Sequence, residues 1–300
     1  MTVVGVDVGG TKTLVVVVDD AGTVVREETR PTPASDGPDA VLELVARLVG
    51  EVDPSAAARA VGVATAGTVD HDGVVRASTD HLAAWTGTPV QARLAHELGR
   101  PVSVVNDVHA AALAEAVRGA ARGSTSSLTV AVGTGVGGGY VRDGSVVAGR
   151  RGSFASVGHM PLLGREPRRC PCGAVGHLEA YVAGPQLEQQ YAAWRGDRSP
   201  VVGLREVAAR ARDGEPAAIG LLVRAGGELG SVLASAAAVL EPEVVVVGGG
   251  VAEIGDLLIG PARSAFTAHL NPALRSGTRL VPAELGVRAA ALGAAAAAGW

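Results

Sequence analysis

The sequence predicts an α/β protein built from two similar lobes, and three observations predict it. Short β-branched runs alternate with Ala- and Leu-rich segments of helical character along the whole chain, the pattern of strands and helices packed in layers. A unit reading strand, Gly/Thr turn, strand, Asp-Gly-type turn, strand occurs once in each half. The length of 300 residues is enough for roughly two domains with cores of their own. With 47% hydrophobic but only 3% aromatic residues, those cores must be made of Val, Ala and Leu.

The first copy of the unit opens the chain. Residues 3–8 read as a strand ending in Asp7-Val8-Gly9-Gly10-Thr11-Lys12-Thr13, and residues 14–18 as a second strand. Asp19-Asp20-Ala21-Gly22 is a turn, and residues 23–25 begin a third strand. Two glycines between strands let backbone N–H groups approach a phosphate and form an anion nest; the alternative is a tight hairpin with no ligand. The motif is not a P-loop, since no Gly-Lys-Ser/Thr follows. It is not a dinucleotide fingerprint either, because a strand rather than a helix comes next. Lys12 is the only lysine among 26 basic residues. Either the compact ammonium is needed there or the arginine bias has spared it by drift.

Residues 31–38 form a Pro-rich loop and 39–49 an amphipathic helix. Residues 60–64 are a strand leading into Thr65-Ala66-Gly67-Thr68-Val69-Asp70. Ser78-Thr79-Asp80-His81-Leu82-Ala83-Ala84-Trp85 is a loop whose Trp85 either packs or lines a cleft, and 91–98 are helical. Residues 101–105 make a strand, then come Asn106-Asp107 and an Ala-rich helix over 108–117. That order puts Asp107 at the carboxyl end of a strand and the first turn of a helix, where open α/β sheets bind ligands. The dipole there favours the ionised carboxylate, suited to a general base for a hydroxyl proton. The competing reading is that Asp107 only caps the helix.

The second copy runs from a strand at 127–132 through the glycine turn Gly133-Thr134-Gly135-Val136-Gly137-Gly138-Gly139. Strand at 140–141, the turn Arg142-Asp143-Gly144 and strand at 145–147 follow. One such hairpin is weak evidence; two at matching positions imply two lobes facing one nucleotide across a cleft. Downstream, Gly158-His159 is followed ten residues later by Cys170-Pro171-Cys172-Gly173-Ala174-Val175-Gly176-His177-Leu178-Glu179. Cysteines two apart make a poor disulfide, whereas two Cys and two His are a legitimate structural zinc set. Zinc and two ordinary thiols both remain open. Helices are predicted at 183–193, 204–212 and 216–240, the last with Gly interruptions. Residues 243–247 are a strand ending in Gly248-Gly249-Gly250, 255–268 a helix, 278–281 a strand and 289–298 an Ala-rich helix.

A net charge of −4 with no long basic block argues against nucleic acid and anionic membrane as partners. No positively charged leader precedes the first strand, and no apolar run approaches membrane-spanning length, so a soluble cytoplasmic protein is expected.

Asp7-Val8-Gly9-Gly10-Thr11-Lys12, Asn106-Asp107, the Gly133–139 run and the Cys loop together resemble the ROK family of sugar kinases and sugar-responsive repressors, nearly end to end. That family belongs to the actin-like ATPase superfamily. The resemblance implies two actin-like (ribonuclease H-like) lobes with an interlobe cleft. A small N-terminal lobe, 1–110, would be completed by a C-terminal helix at about 287–300. A large lobe, 111–286, would carry the zinc loop, with hinging segments near 110 and 287. It further implies ATP-dependent phosphorylation of a hexose or hexose derivative at C6, with Asp107 as base. Asp7, Gly9, Gly10, Thr11, Lys12, Gly133, Thr134, Gly135, Gly137 and Gly249 would serve ATP and Mg²⁺. Gly67, His81, Asn106, Asp107, Ser156, His159 and Glu179 would hold the sugar. His159, Cys170, Cys172 and His177 would hold a structural Zn²⁺, and the protein would be a homodimer. Read alone, Glu179 is equally an exposed first-turn acid, and Gly249 a plain strand-to-helix turn.

The sequence departs from the family pattern at four places. Ala66 stands for a usual Pro, His81 for Asn and His177 for a third Cys. Ser156 stands for a Glu. Hydrogen bonds to a charged group are worth roughly 1.5–3 kcal/mol, so Ser156 either lowers affinity for a plain hexose or admits a bulkier or differently substituted sugar. Two alternatives to an ATP-dependent kinase follow. A repressor of this family would need a DNA-binding segment ahead of the first strand, where this chain begins, and is not expected. A sugar-binding regulatory protein or weakened kinase with altered acceptor specificity is the other. Polyphosphate as donor, used by some relatives, also stays open.

Overall fold

Val-rich runs become the strands of the first sheet. In the computed structural model, which describes residues 1–78, 81–196 and 202–300, β1 (Thr2–Val8), β2 (Lys12–Asp19) and β3 (Val24–Pro31) form an antiparallel meander. Helix α1 (Pro38–Val52) starts with proline in its first turn and buries Val41, Leu42, Val45, Leu48 and Val49. Strand β4 (Val61–Thr65) is wholly buried. A two-stranded ribbon of β5 (Thr68–Val69) and β6 (Val75–Ala77), then α2 (Val90–Leu98), lead to β7 (Val102–Asn106) and α3 (Asp107–Arg118).

Strand order is β3-β2-β1-β4-β7, with β1, β4 and β7 parallel. Register aligns Asp7 with Ala64 and Ala64 with Val105; Val8 aligns with Thr65 and Thr65 with Asn106. The carboxyl ends of three strands therefore share one edge. Trp85 is buried, and its indole N–H donates to Thr65 Oγ1 at 2.9 Å, so it packs beneath that edge.

The second half repeats the plan. Strands β8 (Ser126–Val132), β9 (Val136–Arg142) and β10 (Ser145–Val146) come first. Helices α4 (Glu179–Val182), α5 (Gly184–Arg195), α6 (Leu204–Arg212) and α7 (Pro216–Leu240) follow, then β11 (Val244–Gly248), α8 (Asp256–His269) and β12 (Arg279–Pro282). The order β10-β9-β8-β11-β12, with β8, β11 and β12 parallel, is the same third-second-first-fourth-fifth succession as in the first sheet. The duplication read from the sequence is thus a duplication of topology. A C-terminal helix, Ala289–Ala297, packs on α3 and β1 through Ala291, Leu292 and Ala295.

By internal packing the chain falls into two units. One is Met1–Arg122 with Gly139–Phe154 and Leu285–Trp300; the other is Gly123–Gly138 with Ala155–Glu284. Helix α3 packs with the C-terminal helix, and both lie in the first unit.

Two sequence expectations need correction. The glycine turn ends at Gly135, and Gly137, Gly138 and Gly139 lie inside β9. Gly138 and Gly139 admit close neighbours: a Cβ on Gly138 would stand 2.1 Å from Ala155 O. Helix α7, at 25 residues, is long and apolar enough by length and composition to cross a membrane, contrary to the expectation that no run approaches such a length. It is a core helix here. Gly226 and Gly230 bring it against α8, where a Cβ on Gly230 would meet Ala262 O at 2.0 Å, and Leu221, Leu222, Leu229 and Leu233 are buried.

Candidate active site

Asn106, not its neighbour, caps α3. Its Oδ1 accepts from Val108 N–H and His109 N–H, both at 3.0 Å, so Asn106 is the cap of α3. Its amide donates to Gly67 O at 2.9 Å and to Asp107 Oδ1 at 2.8 Å. Asp107 is the first helical residue, and Val108 N–H also donates to its Oδ1 at 2.9 Å. Capping is done by the residue before it, and the Asp107 carboxylate stands at the strand edge.

Enclosure pushes the Asp107 carboxyl up to about 6, while the Val108 N–H and the Asn106 amide pull it down. Asp7 lies two strands away on the same edge. Burial first, then the charge on Asp107, push it up to about 7, and Lys12 acts the other way. Two carboxylates with raised pKa values thus stand on one strand edge, with the Lys12 ammonium near Asp7.

The turn after Asp7 is closed by Gly9 N–H donating to Lys12 O at 3.1 Å. A Cβ at Gly10 would lie 2.9 Å from both Cβ and O of His81. His81, exposed, thus sits directly against the glycine turn, and Ala83 N–H ties the same loop to Ala34 O at 2.8 Å. Thr79 and Asp80 of that loop lie outside the described residues. Asp7, Gly9, Gly10, Thr11, Lys12, Gly67, His81, Asn106 and Asp107 all belong to the first unit.

In the second unit, Gly133 N–H donates to Gly135 O at 2.9 Å at the end of β8. The turn after β11 lies beside it: Gly249 has φ +86°, its Cβ position is 2.5 Å from Val132 O, and Val251 N–H bonds the same carbonyl at 2.9 Å. Two glycine turns thus meet at the carboxyl ends of adjacent parallel strands. Gly137 is inside β9 and takes no part in the turn. Glu179 is no idle exposed acid. Its Oε2 accepts from Val136 N–H at 2.8 Å, and its Oε1 lies 3.4 Å from Cys170 Sγ.

His159 ends a 3₁₀ turn, Val157–His159, at whose cap position Ser156 is exposed. Cys170 Sγ is 3.9 Å from His159 Nδ1, and Cys172 Sγ is 3.2 Å from His177 Nδ1. The ligand atoms of these four residues lie within 4.8 Å of one another. Tetrahedral bonds of about 2.0–2.3 Å to nitrogen and sulfur place neighbouring donors about 3–4 Å apart, so two thiols and two imidazoles in this array fit zinc. The loop that carries them is also held by protein contacts: Leu178 N–H bonds Met160 O at 2.9 Å, Cys170 N–H bonds Ala174 O at 2.8 Å, and Arg165 pairs with buried Glu228 at 3.1 Å.

Residues 3–299 match the ROK family profile. This chain belongs to the ROK family. The ROK protein is 30% identical to a glucokinase of Thermotoga maritima, over 98% of this chain and 96% of that protein. A ROK hexokinase of Thermus thermophilus superposes with a TM-score of 0.85 at 36% identity, covering 99% of this chain and 98% of its own. A ROK family glucokinase of Streptomyces griseus, solved with glucose and AMPPNP, gives 0.85 at 29% identity and 99% of both chains. These neighbours carry the actin-like ATPase fold, and this chain shares it.

Sequence reasoning missed three features of the ROK protein: Asn106 as the cap, the Glu179 bridge to the glycine turn, and a bond from His109 to Phe154. Only the first had a signal, since Asn and Asp are both good caps and stand side by side.

Proposed function

We propose that this ROK protein transfers the γ-phosphoryl group of ATP to the C6 hydroxyl of a hexose or hexose derivative, with Asp107 as general base. The coarser statement stands without proposal: the chain is a sugar kinase that uses ATP, a phosphotransferase with an alcohol acceptor. The finer one rests on a single observation, that Asn106 caps α3 and leaves an enclosed Asp107 carboxylate, raised to about 6, at the strand edge. A base of that pKa is ionised at neutral pH yet basic enough to take the proton as the hydroxyl attacks.

Phosphoryl transfer is mainly positioning and charge neutralisation. Gly9, Gly10, Thr11 and Lys12 would cradle phosphate in the first unit, and Gly133, Thr134, Gly135 and Gly249 in the second. Asp7 would hold Mg²⁺, which when bound neutralises charge on the phosphates. Gly67, His81, Asn106, Ser156, His159 and Glu179 would orient the sugar. His159, Cys170, Cys172 and His177 would hold a structural Zn²⁺ that fixes the loop. By family likeness we place the protein in the cytoplasm as a homodimer.

A second reading, altered acceptor specificity in a weakened kinase or a sugar-binding protein, draws support from Ser156, a short neutral side chain exposed beside His159. Turnover tests both. ADP release with Mg-ATP is measured against glucose, mannose, fructose, N-acetylated and amino hexoses, with polyphosphate as alternative donor, and the product is assigned by NMR. A 6-phosphate from one sugar supports the first reading. Nucleotide binding without turnover on any sugar supports the second.

A further inference from the structure

Phe154 carries the last carbonyl before a sharp reversal of the chain. Ala155 has φ +61°, a left-handed conformation that costs a non-glycine residue about 1 kcal/mol. Val157 N–H then closes on Ala155 O at 2.6 Å to begin the turn Val157–His159. The rotation of the peptide joining Phe154 to Ala155 therefore sets the direction in which Ser156 and His159 are presented.

The segment before that peptide closes largely on itself. Val147 N–H donates to Tyr140 O at 2.8 Å, Phe154 N–H donates to Ala148 O at 3.1 Å, and the Tyr140 and Phe154 rings stand 6.0 Å apart. The Phe154 carbonyl lies 3.2 Å from His109 Nε2. His109 is buried in the first turn of α3, two residues after Asp107, and its own backbone N–H is held by Asn106. A carbonyl can only accept, so Nε2 carries the hydrogen and the tautomer is fixed. One imidazole ties the turn that carries Asp107 to the peptide that aims residues 156–159.

We propose that His109 is a positioning residue for the phosphoryl acceptor: its Nε2–H holds the Phe154 carbonyl and so fixes the strained Phe154–Ala155 peptide that presents Ser156 and His159. The inference rests on the reading of those two residues as sugar-side groups. His109 touches no reacting atom; it acts through the backbone.

The test compares wild type with His109→Leu, which keeps bulk but no donor, and His109→Gln, whose side-chain amide reaches about as far as Nε2. Circular dichroism first establishes that both variants fold. Hydrogen exchange of peptides covering 154–160 should speed up in His109→Leu and return to wild type in His109→Gln. The sugar KM should rise about tenfold in His109→Leu with the Mg-ATP KM within about twofold, the loss of one buried hydrogen bond, and recover in His109→Gln. Unchanged exchange in His109→Leu overturns the proposal, as does a His109→Gln variant no better than His109→Leu. Faster exchange with an unchanged sugar KM overturns it too, as does a parallel rise in both KM values. If wild type phosphorylates no sugar, the acceptor reading fails by itself, and the exchange data alone decide whether His109 fixes the turn.

Discussion

Asn106 donates its amide N–H to Asp107 Oδ1 at 2.8 Å while its own Oδ1 caps α3. One side chain thus anchors the helix and steadies the proposed base. Asn106→Ala should lose both effects. Removing the cap costs about 1 kcal/mol, read in a urea melt. Removing a donor that holds the Asp107 pKa down should move the acid limb of sugar kcat/KM to higher pH. In wild type that limb should lie near pH 6, because the base must be ionised and loses activity as pH falls through its pKa.

The same carboxyl predicts a stability effect of opposite sense. Its folded pKa of about 6 lies above the ordinary value, so the folded state favours the protonated form. The stabilisation from this group is full below about pH 4, is lost as pH rises from about 4 to 6, and is absent above. Asp107→Asn should therefore melt a few degrees above wild type at pH 8, with the difference gone near pH 4. A melting point below wild type at pH 8 would contradict the enclosure described for this side chain.

Much of this was legible in the sequence, because strand, glycine turn and strand follow local rules. The doubled unit announced a doubled sheet order, and the α6 and α7 bounds are those read from helical pattern. What was not legible depends on approach across the fold. Gly138 and Gly139 look like turn residues until Ala155 and α3 are seen to need the space. Glu179 looks like a surface acid until Val136 N–H is found on its carboxylate. Helix α7 hides its membrane-like length because the glycines that break its pattern are its contact points with α8.

The Cys/His array predicts a bound metal. Purified protein should carry about one zinc ion per chain by atomic spectroscopy. Cys172→Ser, which alters an exposed ligand and disturbs little packing, should lose most of the metal and increase proteolysis within residues 160–178. Full zinc retention in Cys172→Ser would remove that residue from the ligand set.

Glu115 predicts a structural weak point that joins residue 120 to residue 285 within the first unit. Buried on α3, it accepts from Ala120 N–H at 2.8 Å and Leu285 N–H at 2.9 Å, and a Cβ on Gly119 would stand 2.0 Å from its Oε2. Glu115→Ala leaves two amides without that acceptor and should cost about 2–4 kcal/mol in a denaturant melt. Gly119→Ala should destabilise in the same direction. A loss under about 1 kcal/mol in both would mean that the carboxylate holds neither segment.

The central claim, that Asp107 takes the proton in phosphoryl transfer, is tested most directly by kcat of Asp107→Asn on the best sugar with saturating Mg-ATP. The account predicts a fall of about 10³-fold with little change in the sugar KM, since the substitution keeps shape and removes the base. A kcat within about tenfold of wild type, in a variant that binds sugar and nucleotide normally, would contradict it.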